Sequence, residues 1–280
     1  MTFADSLRSN TKWLLGLLAL LAGLYWKIVP DMVMDWHRDD NYSHGFLVPV
    51  IAGYFLWQRW PELKDRLVKP DNLGLLVIVL AALQLLIAWL GTEYFTMRSS
   101  LVVLIAGMVL YFFGRDIFRG MAPPILFLLF MVPIPYIIYD MVAFPLKLFI
   151  TKASVGSLQA AGISVLREGN IIHFPATTLE VADACSGIRS LMSLLALSVA
   201  YAFFLPLKAW QRYLLVFSIV PIAIATNAFR VIVTGFLAQY WGARVAQGFF
   251  HEFAGLAVFS LAMVLVVGLG ALLKAWGGAR

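Results

Sequence analysis

The chain has 280 residues, of which 62% are hydrophobic and 13% are charged, about half of the ~25% charged residues usual in soluble domains. A soluble domain of this size cannot bury so much apolar surface, and the long apolar runs differ from the alternating pattern of outer-membrane barrels. The composition predicts an all-α polytopic membrane protein and excludes disordered, coiled-coil and collagen-like chains.

Apolar runs that are long enough to cross a bilayer recur along the whole chain. A span needs about 20 apolar residues, or a few fewer at the short end. We read eight such runs, of which the second and the fourth are short, at residues 13–29, 45–57, 73–91, 99–113, 121–139, 188–205, 213–229 and 253–273. The fifth run contains four prolines, so we expect its helix to be kinked or partly unwound. The sequence thus predicts one integral membrane domain over residues 1–280.

Loop charges predict the orientation of these spans. With the amino terminus in the cytoplasm, the cytoplasmic loops hold twelve basic and five acidic residues, whereas the other side holds nine basic and ten acidic residues. This imbalance follows the positive-inside rule and places both termini in the cytoplasm. It also accounts for the net charge of +6 without a nucleic acid partner. The first run ends in Tyr25-Trp26, an interfacial pair, instead of a signal-peptide cleavage site.

The segment 140–187 between the fifth and sixth runs does not fit a simple span. Its first part, 140–162, is apolar but interrupted by Lys147, Lys152 and Gln159, which predicts an amphipathic helix at the outer interface or packed on the bundle. Residues 165–174 then predict a small β-hairpin around the turn Gly169-Asn170. This insert is the largest polar element predicted on the outer, periplasmic face.

The one cysteine, Cys185, lies just before the sixth run. Free amides and partial positive charge at a helix amino terminus lower the pKa of a thiol, and Arg189 one turn later adds to this effect. Gly187 beside Ser186 allows a substrate to approach closely. The alternative is that Cys185 is an inert, buried apolar residue, which is common for a single membrane cysteine.

Two further polar positions lie at predicted helix ends on the same outer side. Asn227 and Arg230 are three residues apart and share a helix face at the end of the seventh run, although Arg230 can equally snorkel to the interface. His251 opens the eighth run. A zinc protease motif would need a second histidine at Gly255, so no metal site is predicted. A lone histidine here is more often an interfacial residue.

Together, these positions form a chemically coherent set. A thiol, an imidazole and a guanidinium at one membrane face are the parts of a cysteine acyl-transfer site. The imidazole transfers the proton, and the guanidinium stabilises an oxyanion or binds a carboxylate. The sequence alone does not establish that Cys185, Arg230 and His251 touch.

Four short blocks resemble those of the exosortase/archaeosortase family, whose members are integral membrane cysteine transpeptidases. Residues 184–190 (ACSGIRS), 227–230 (NAFR) and 251–255 (HEFAG) resemble its three signature blocks. Residues 42–45 (YSHG) resemble a motif in its first outer loop. The resemblance covers nearly the whole chain, including the eight-span layout.

The resemblance implies an inner-membrane enzyme of exopolysaccharide-producing Gram-negative bacteria with a periplasmic active site. It would cut secreted proteins near a carboxy-terminal Pro-Glu-Pro sorting signal through a thioester, and transfer or release the new carboxyl end. Cys185 would be the nucleophile, His251 the general acid and base, and Arg230 the stabilising cation. Its partners would be the sorting-signal helix, membrane lipid and a lipid or glycan acceptor, with no cofactor and no nucleic acid.

Further residues have supporting or open roles in this interpretation. The supporting set comprises Arg189, Asn227, Ser186, Gly187 and His44. His44 either lines the substrate cleft or caps the helix that follows. Glu180 and Asp183 flank the nucleophile, and their catalytic role is open: either one can orient His251, whereas their negative charge would oppose thiolate formation.

A different class of function competes with the enzyme. Intramembrane Arg and His residues and proline-broken helices are also typical of transporters, so a transporter or a scaffold in an exopolysaccharide export system is the alternative. The absence of an evident internal repeat and the clustering of polar residues at one face favour the enzyme.

Overall fold

The computed structural model describes residues 1–175, 177–181, 188–242 and 249–277, and the side chains at 188–190, 249–252 and 277 lie outside the description. The chain divides into two units, Met1–Pro135 and Tyr136–Arg280. Helices dominate both units, so the predicted all-α polytopic class is confirmed. The prediction of a single functional domain stays a prediction.

The first unit is built from seven α-helices and two short 3₁₀ helices. In chain order the α-helices are α1 (Phe3–Ser9), α2 (Thr11–Leu24), α3 (Ile28–Arg38), α4 (Leu47–Leu63), α5 (Leu73–Leu90), α6 (Tyr94–Phe113) and α7 (Arg115–Phe127). The 3₁₀ helices are Asp40–Phe46, between α3 and α4, and Leu128–Met131, directly after α7.

Helices α5 and α6 form the closest helix pair of this unit because glycines lie at their contact. A Cβ atom on Gly74 would lie 2.2 Å from the backbone nitrogen of Tyr111. A Cβ atom on Gly107 would lie 2.9 Å from the backbone nitrogen of Ile78. Membrane helices associate through small residues of this kind, since lipid supplies no hydrophobic drive for their contact.

The described residues of the second unit form five helices and a small antiparallel sheet. The helices are α8 (Tyr136–Ala160), α9 (Ile188–Phe204), α10 (Ala209–Phe217), α11 (Ile219–Trp241) and α12 (Phe249–Gly277). The strands are β1 (Leu166–Glu168), β2 (Ile171–His173) and β3 (Thr178–Glu180), in the order β1-β2-β3. The predicted hairpin around Gly169-Asn170 is therefore confirmed, and β3 extends it by one strand.

Helix α11 contributes to two hydrophobic cores that the described residues of the second unit form. The first core, here called the sheet core, joins the sheet to α8 and α11 and includes Leu158, Ile172, Val181 and Val231. The other core joins α9, α10, α11 and α12 and includes Ile219. Helix α11 is therefore packed on two sides, against the sheet and α8 on one and against α9, α10 and α12 on the other.

The predicted number of eight spans is not reproduced. Five stretches of the described chain are long and apolar enough to cross a membrane, namely Leu73–Leu90, Tyr94–Phe113, Tyr136–Ala160, Ala209–Trp241 and Phe253–Trp276. The bent pair α2 and α3, with 64° between its halves, makes six if it counts as one span. The predicted runs 45–57 and 188–205 correspond to α4 and α9, which have 17 residues each.

The fifth predicted run, 121–139, does not form one continuous helix. Proline lacks a backbone N–H and cannot continue a helical ladder. The chain ends its second 3₁₀ helix at Met131, passes Pro133 and Pro135, and begins α8 at Tyr136. The segment 140–162, expected as an amphipathic helix, belongs to α8, which packs on α11 and is itself apolar enough to span.

Candidate active site

Asn227 and Arg230 lie side by side on α11, and both are buried, with 3% and 8% of their surface exposed. The sequence placed Arg230 at the outer end of a span that stopped at residue 229. The helix does not stop there, because α11 continues to Trp241 and Arg230 lies within it, and the position of Arg230 at the outer end of a span stays a prediction. An apolar-run count ends at the first charge, whereas a helix packed on both sides can bury one.

A row of buried polar side chains accompanies Arg230 along α11. Thr226, one turn before it, donates its hydroxyl to the Ile222 carbonyl oxygen at 2.9 Å. On the facing helix α8, the buried Ser154 hydroxyl donates to the Ala228 carbonyl oxygen at 3.5 Å. Buried hydroxyls in a membrane helix are satisfied by backbone carbonyls in this way. The Arg230 guanidinium therefore belongs to a group of buried polar side chains on α8 and α11, together with Ser154, Thr226 and Asn227.

The guanidinium of Arg230 lies against helix α12 at Gly255. A Cβ atom on Gly255 would lie 3.4 Å from Nη2, 3.6 Å from Cζ and 3.7 Å from Nη1 of Arg230. These three similar distances show that the flat face of the guanidinium is turned toward α12. Gly255 follows His251 by four residues, which is about one helical turn. The second and third signature blocks therefore meet in the structure.

The first signature block is flanked by described residues of the same unit. Cys185, Ser186 and Gly187 themselves lie outside the described residues. Before the block, Val181 is buried in the sheet core together with Val231, the neighbour of Arg230. Within the block, α9 begins at Ile188, and this helix packs on α11 and α12.

Two further predicted site residues are placed by their main chains alone. Arg189 lies in the first turn of α9, and His251 lies in the first turn of α12. Their side chains fall outside the description. Within the described part of the chain, no three His, Cys, Asp or Glu residues are grouped so that they could hold a metal ion.

His44 lies in the first unit, in the 3₁₀ helix Asp40–Phe46. Its Nε2 atom is 3.2 Å from the carbonyl oxygen of Phe130. Burial lowers the pKa of the imidazole, partly offset by hydrogen bonds to the backbone of Phe130 and Asn41. The structure thus gives His44 a bond to the backbone of its own unit, and its substrate-binding role stays a prediction.

His44 is one of three side chains that bind the proline-broken segment 130–134, an arrangement that the sequence reasoning missed. Trp36 Nε1 donates to the Met131 carbonyl oxygen at 2.8 Å, and the Tyr42 hydroxyl donates to the Ile134 carbonyl oxygen at 3.0 Å. Prolines leave helical carbonyls without their N–H donors, and buried carbonyls need replacements. The prolines Pro133 and Pro135 were therefore the feature of the sequence that could have indicated a structural role for the YSHG motif, because nearby carbonyls need other donors.

A buried ion pair in the first unit was also missed. Arg98 Nη2 lies 2.6 Å from Asp35 Oδ2, which joins α6 to α3. The Arg98 side chain is 7% exposed and the Asp35 side chain 44%. The predicted span began at Ser99, so Arg98 was counted as a loop residue, whereas α6 begins at Tyr94 and includes it.

A known protein family matches the region of the chain that contains the four sequence blocks. The sequence model of the transmembrane exosortases matches residues 36–268. The chain belongs to the transmembrane exosortase family. All four blocks lie inside the matched region, so the resemblance is confirmed, and the family supports a membrane transpeptidase-like role in protein sorting. No curated protein and no solved structure matches the chain.

Proposed function

We propose that this exosortase-family protein is a cysteine transpeptidase that processes proteins at a carboxy-terminal Pro-Glu-Pro sorting signal. Cys185 is the nucleophile, His251 the general acid and base, and Arg230 the cation that stabilises the oxyanion. One observation carries the proposal: the buried Arg230 guanidinium lies against Gly255, one turn from His251. A donor group for the oxyanion and a histidine for proton transfer are two of the groups that acyl transfer uses.

In the first half of the reaction, the Cys185 sulfur attacks the carbonyl carbon of the scissile peptide bond. His251 takes the thiol proton as the C–S bond forms, and the carbonyl oxygen becomes an oxyanion. Arg230 supplies N–H donors and positive charge to this oxyanion. His251 then gives the proton to the leaving amine, the C–N bond breaks, and a thioester remains on Cys185.

In the second half, an acceptor attacks the thioester carbon. His251 takes the proton of the acceptor as the new bond forms and returns it to the departing sulfur, which regenerates the thiol. Water as the acceptor releases a free carboxylate, whereas an amine or hydroxyl of a lipid or glycan gives a transferred product. The acceptor is left open among these classes.

The proposal includes a membrane setting. The division of loop charge favours an inner-membrane enzyme with cytoplasmic termini and a periplasmic site. The sorting signal's own helix would lie beside the bundle while its motif reaches the site. The glutamate of that motif needs a cation, and Arg189 or Arg230 can serve. The expected setting is protein sorting in cells that make exopolysaccharide.

Co-expression with a tagged substrate tests the proposal. A secreted reporter ending in a Pro-Glu-Pro motif, an apolar helix and a basic tail is produced with the wild type, Cys185→Ala, Cys185→Ser or the loop control Ser164→Ala. Mass spectrometry of the reporter then gives its carboxyl end. We expect a shortened end with the wild type and with Ser164→Ala, and the intact tail with both Cys185 variants.

The opposite result is equally clear. Equal processing by Cys185→Ala and the wild type, at equal amounts in the membrane fraction, would contradict the mechanism. An intact reporter with every variant, wild type included, would favour the transporter or scaffold alternative. The mass of the new carboxyl end also identifies the scissile bond and the acceptor.

A further inference from the structure

The contact between Arg230 and Gly255 sets a limit on the side chain at position 255. A methyl carbon there would lie 3.4–3.7 Å from three atoms of the guanidinium, which is ordinary van der Waals contact. Any atom beyond that carbon, on the same line, would overlap the guanidinium. Alanine therefore fits at this position, and a branched side chain does not.

The orientation of the Arg230 guanidinium relative to Gly255 determines where its N–H donors point. Because the flat face of Arg230 is turned toward Gly255, its N–H donors, which lie in the guanidinium plane, run along the surface of α12. A displaced or tilted guanidinium would point these donors elsewhere. Oxyanion stabilisation depends on donors fixed at the correct position before the reaction begins.

We propose that Gly255 is a positioning residue that holds the guanidinium of Arg230 flat against α12, in the plane where it receives the oxyanion. This inference rests on the proposed function and adds a residue to it. Gly255 itself touches no reacting atom. It acts through Arg230, by the absence of a side chain.

Other glycines of α12 show that this role is local. At Gly268 a Cβ atom would meet nothing within 4 Å. At Gly270 it would lie 2.4 Å from Cε1 of the Tyr201 ring, which makes Gly270 a packing glycine between α12 and α9. Gly255 is the position among these three where the neighbour is a cation. Gly268 is therefore the matched control, with the same helix and the same change of backbone propensity.

The test compares reporter processing by Gly255→Ala, Gly255→Ser, Gly255→Val and the controls Gly268→Ser and Gly268→Val. We expect a graded loss at position 255, about 3-fold for Ala, about 10-fold for Ser and about 100-fold for Val, the scale of a ~1 Å displacement of a catalytic group. Both Gly268 controls should match the wild type. If Gly255→Val does not accumulate in the membrane, the Ser variants decide the comparison.

A second background separates positioning from general packing. If Gly255 acts through the guanidinium, adding Gly255→Val to Arg230→Lys should lower the rate less than about 3-fold, because lysine has no planar face to hold. A further ~100-fold loss there would show that position 255 acts independently of Arg230, which overturns the inference. So would wild-type rates in Gly255→Val.

The outcomes also separate the two proposals. If Cys185→Ala processes the reporter as well as the wild type does, the proposed function fails and the positioning role fails with it. If Cys185→Ala is inactive and Gly255→Val matches Gly268→Val, the positioning role alone fails.

Discussion

Among the residues whose burial the structure describes, each unit buries one arginine in a membrane helix, and the two arginines differ in what they contact. Arg98 of the first unit pairs with the carboxylate of Asp35 at 2.6 Å. Arg230 of the second unit turns the face of its guanidinium toward a glycine in a signature block. Burial alone therefore does not mark a functional arginine, since both are less than a tenth exposed.

The surroundings of the two arginines extend this difference. In the first unit, side chains complete the backbone hydrogen bonds of a broken helix, and Arg98 joins two helices through an ion pair. In the second unit, Arg230 of the second signature block lies against Gly255 of the third, near the start of α12. We infer a structural role for the first arginine and propose a chemical role for the second, and substitutions test each role.

The largest expected effect is the loss of reporter processing in Arg230→Lys. Lysine keeps the charge but lacks the planar fork that holds two donors in one geometry. Removing one oxyanion donor costs about 10²–10³ in rate, and we expect a loss of this size. The matched control is Arg167→Lys on the exposed strand β1, which should leave the rate unchanged. Equal rates for the two variants would remove Arg230 from the mechanism.

We expect the Arg98–Asp35 ion pair to affect the free energy of unfolding and not the rate of reporter processing. Asp35→Ala leaves a buried guanidinium without its carboxylate, and we expect a loss on the order of 2–3 kcal/mol, below the range for a fully buried pair because Asp35 is partly exposed. Denaturant or thermal unfolding of the purified protein in detergent measures it. Asp116→Ala, from an exposed pair with Arg119 at 4.0 Å, should cost less than about 1 kcal/mol. Similar losses would contradict the structural role.

Tyr42→Phe tests the support of the broken helix. The substitution removes the hydroxyl that donates to the Ile134 carbonyl oxygen, and we expect a loss of about 1 kcal/mol in unfolding free energy. Tyr213→Phe, at an exposed tyrosine, is the control and should have no measurable effect. A change in processing rate without a change in stability would instead assign the motif to the substrate.

The smallest effect concerns His44 and pH. Burial lowers its pKa from the usual 6.5, so the folded state binds a proton less readily than the unfolded state. The contribution of His44 is complete above about pH 6.5 and declines as the pH falls toward the folded pKa. Thermal midpoints at pH 7.5 and 5.5 should therefore differ less for His44→Gln than for the wild type. The exposed His37→Gln should keep the wild-type difference, and an unchanged difference in His44→Gln would contradict this account.

The fold was predictable where local patterns decide it. Apolar runs gave the helical membrane class, and Gly169-Asn170 located the hairpin. The third strand, β3, was not predictable, because its pairing depends on packing against α8 and α11. The span bounds failed at Pro133 and Pro135 and at Arg230, since run lengths do not show what packs around a break or a charge.

The sequence predicted which residues belong to the candidate site. It did not predict how these residues are arranged in space. The shared helix face of Asn227 and Arg230 followed from their spacing. The contact of Arg230 with Gly255 joins two helices, and no local pattern reports it. Gly255 entered the sequence reasoning as the position where a zinc ligand is missing. Its role becomes visible when the guanidinium is seen against it.

Detection of the acyl-enzyme tests the central claim most directly. Purified protein is mixed with the tagged Pro-Glu-Pro substrate, quenched in acid and digested, and the peptide containing Cys185 is examined by mass spectrometry. The mechanism predicts that the substrate's amino-terminal fragment is attached to Cys185 and is released by neutral hydroxylamine, as a thioester requires. Processing of the substrate at the wild-type rate by Cys185→Ala, with no adduct on Cys185 in the wild type, would contradict it.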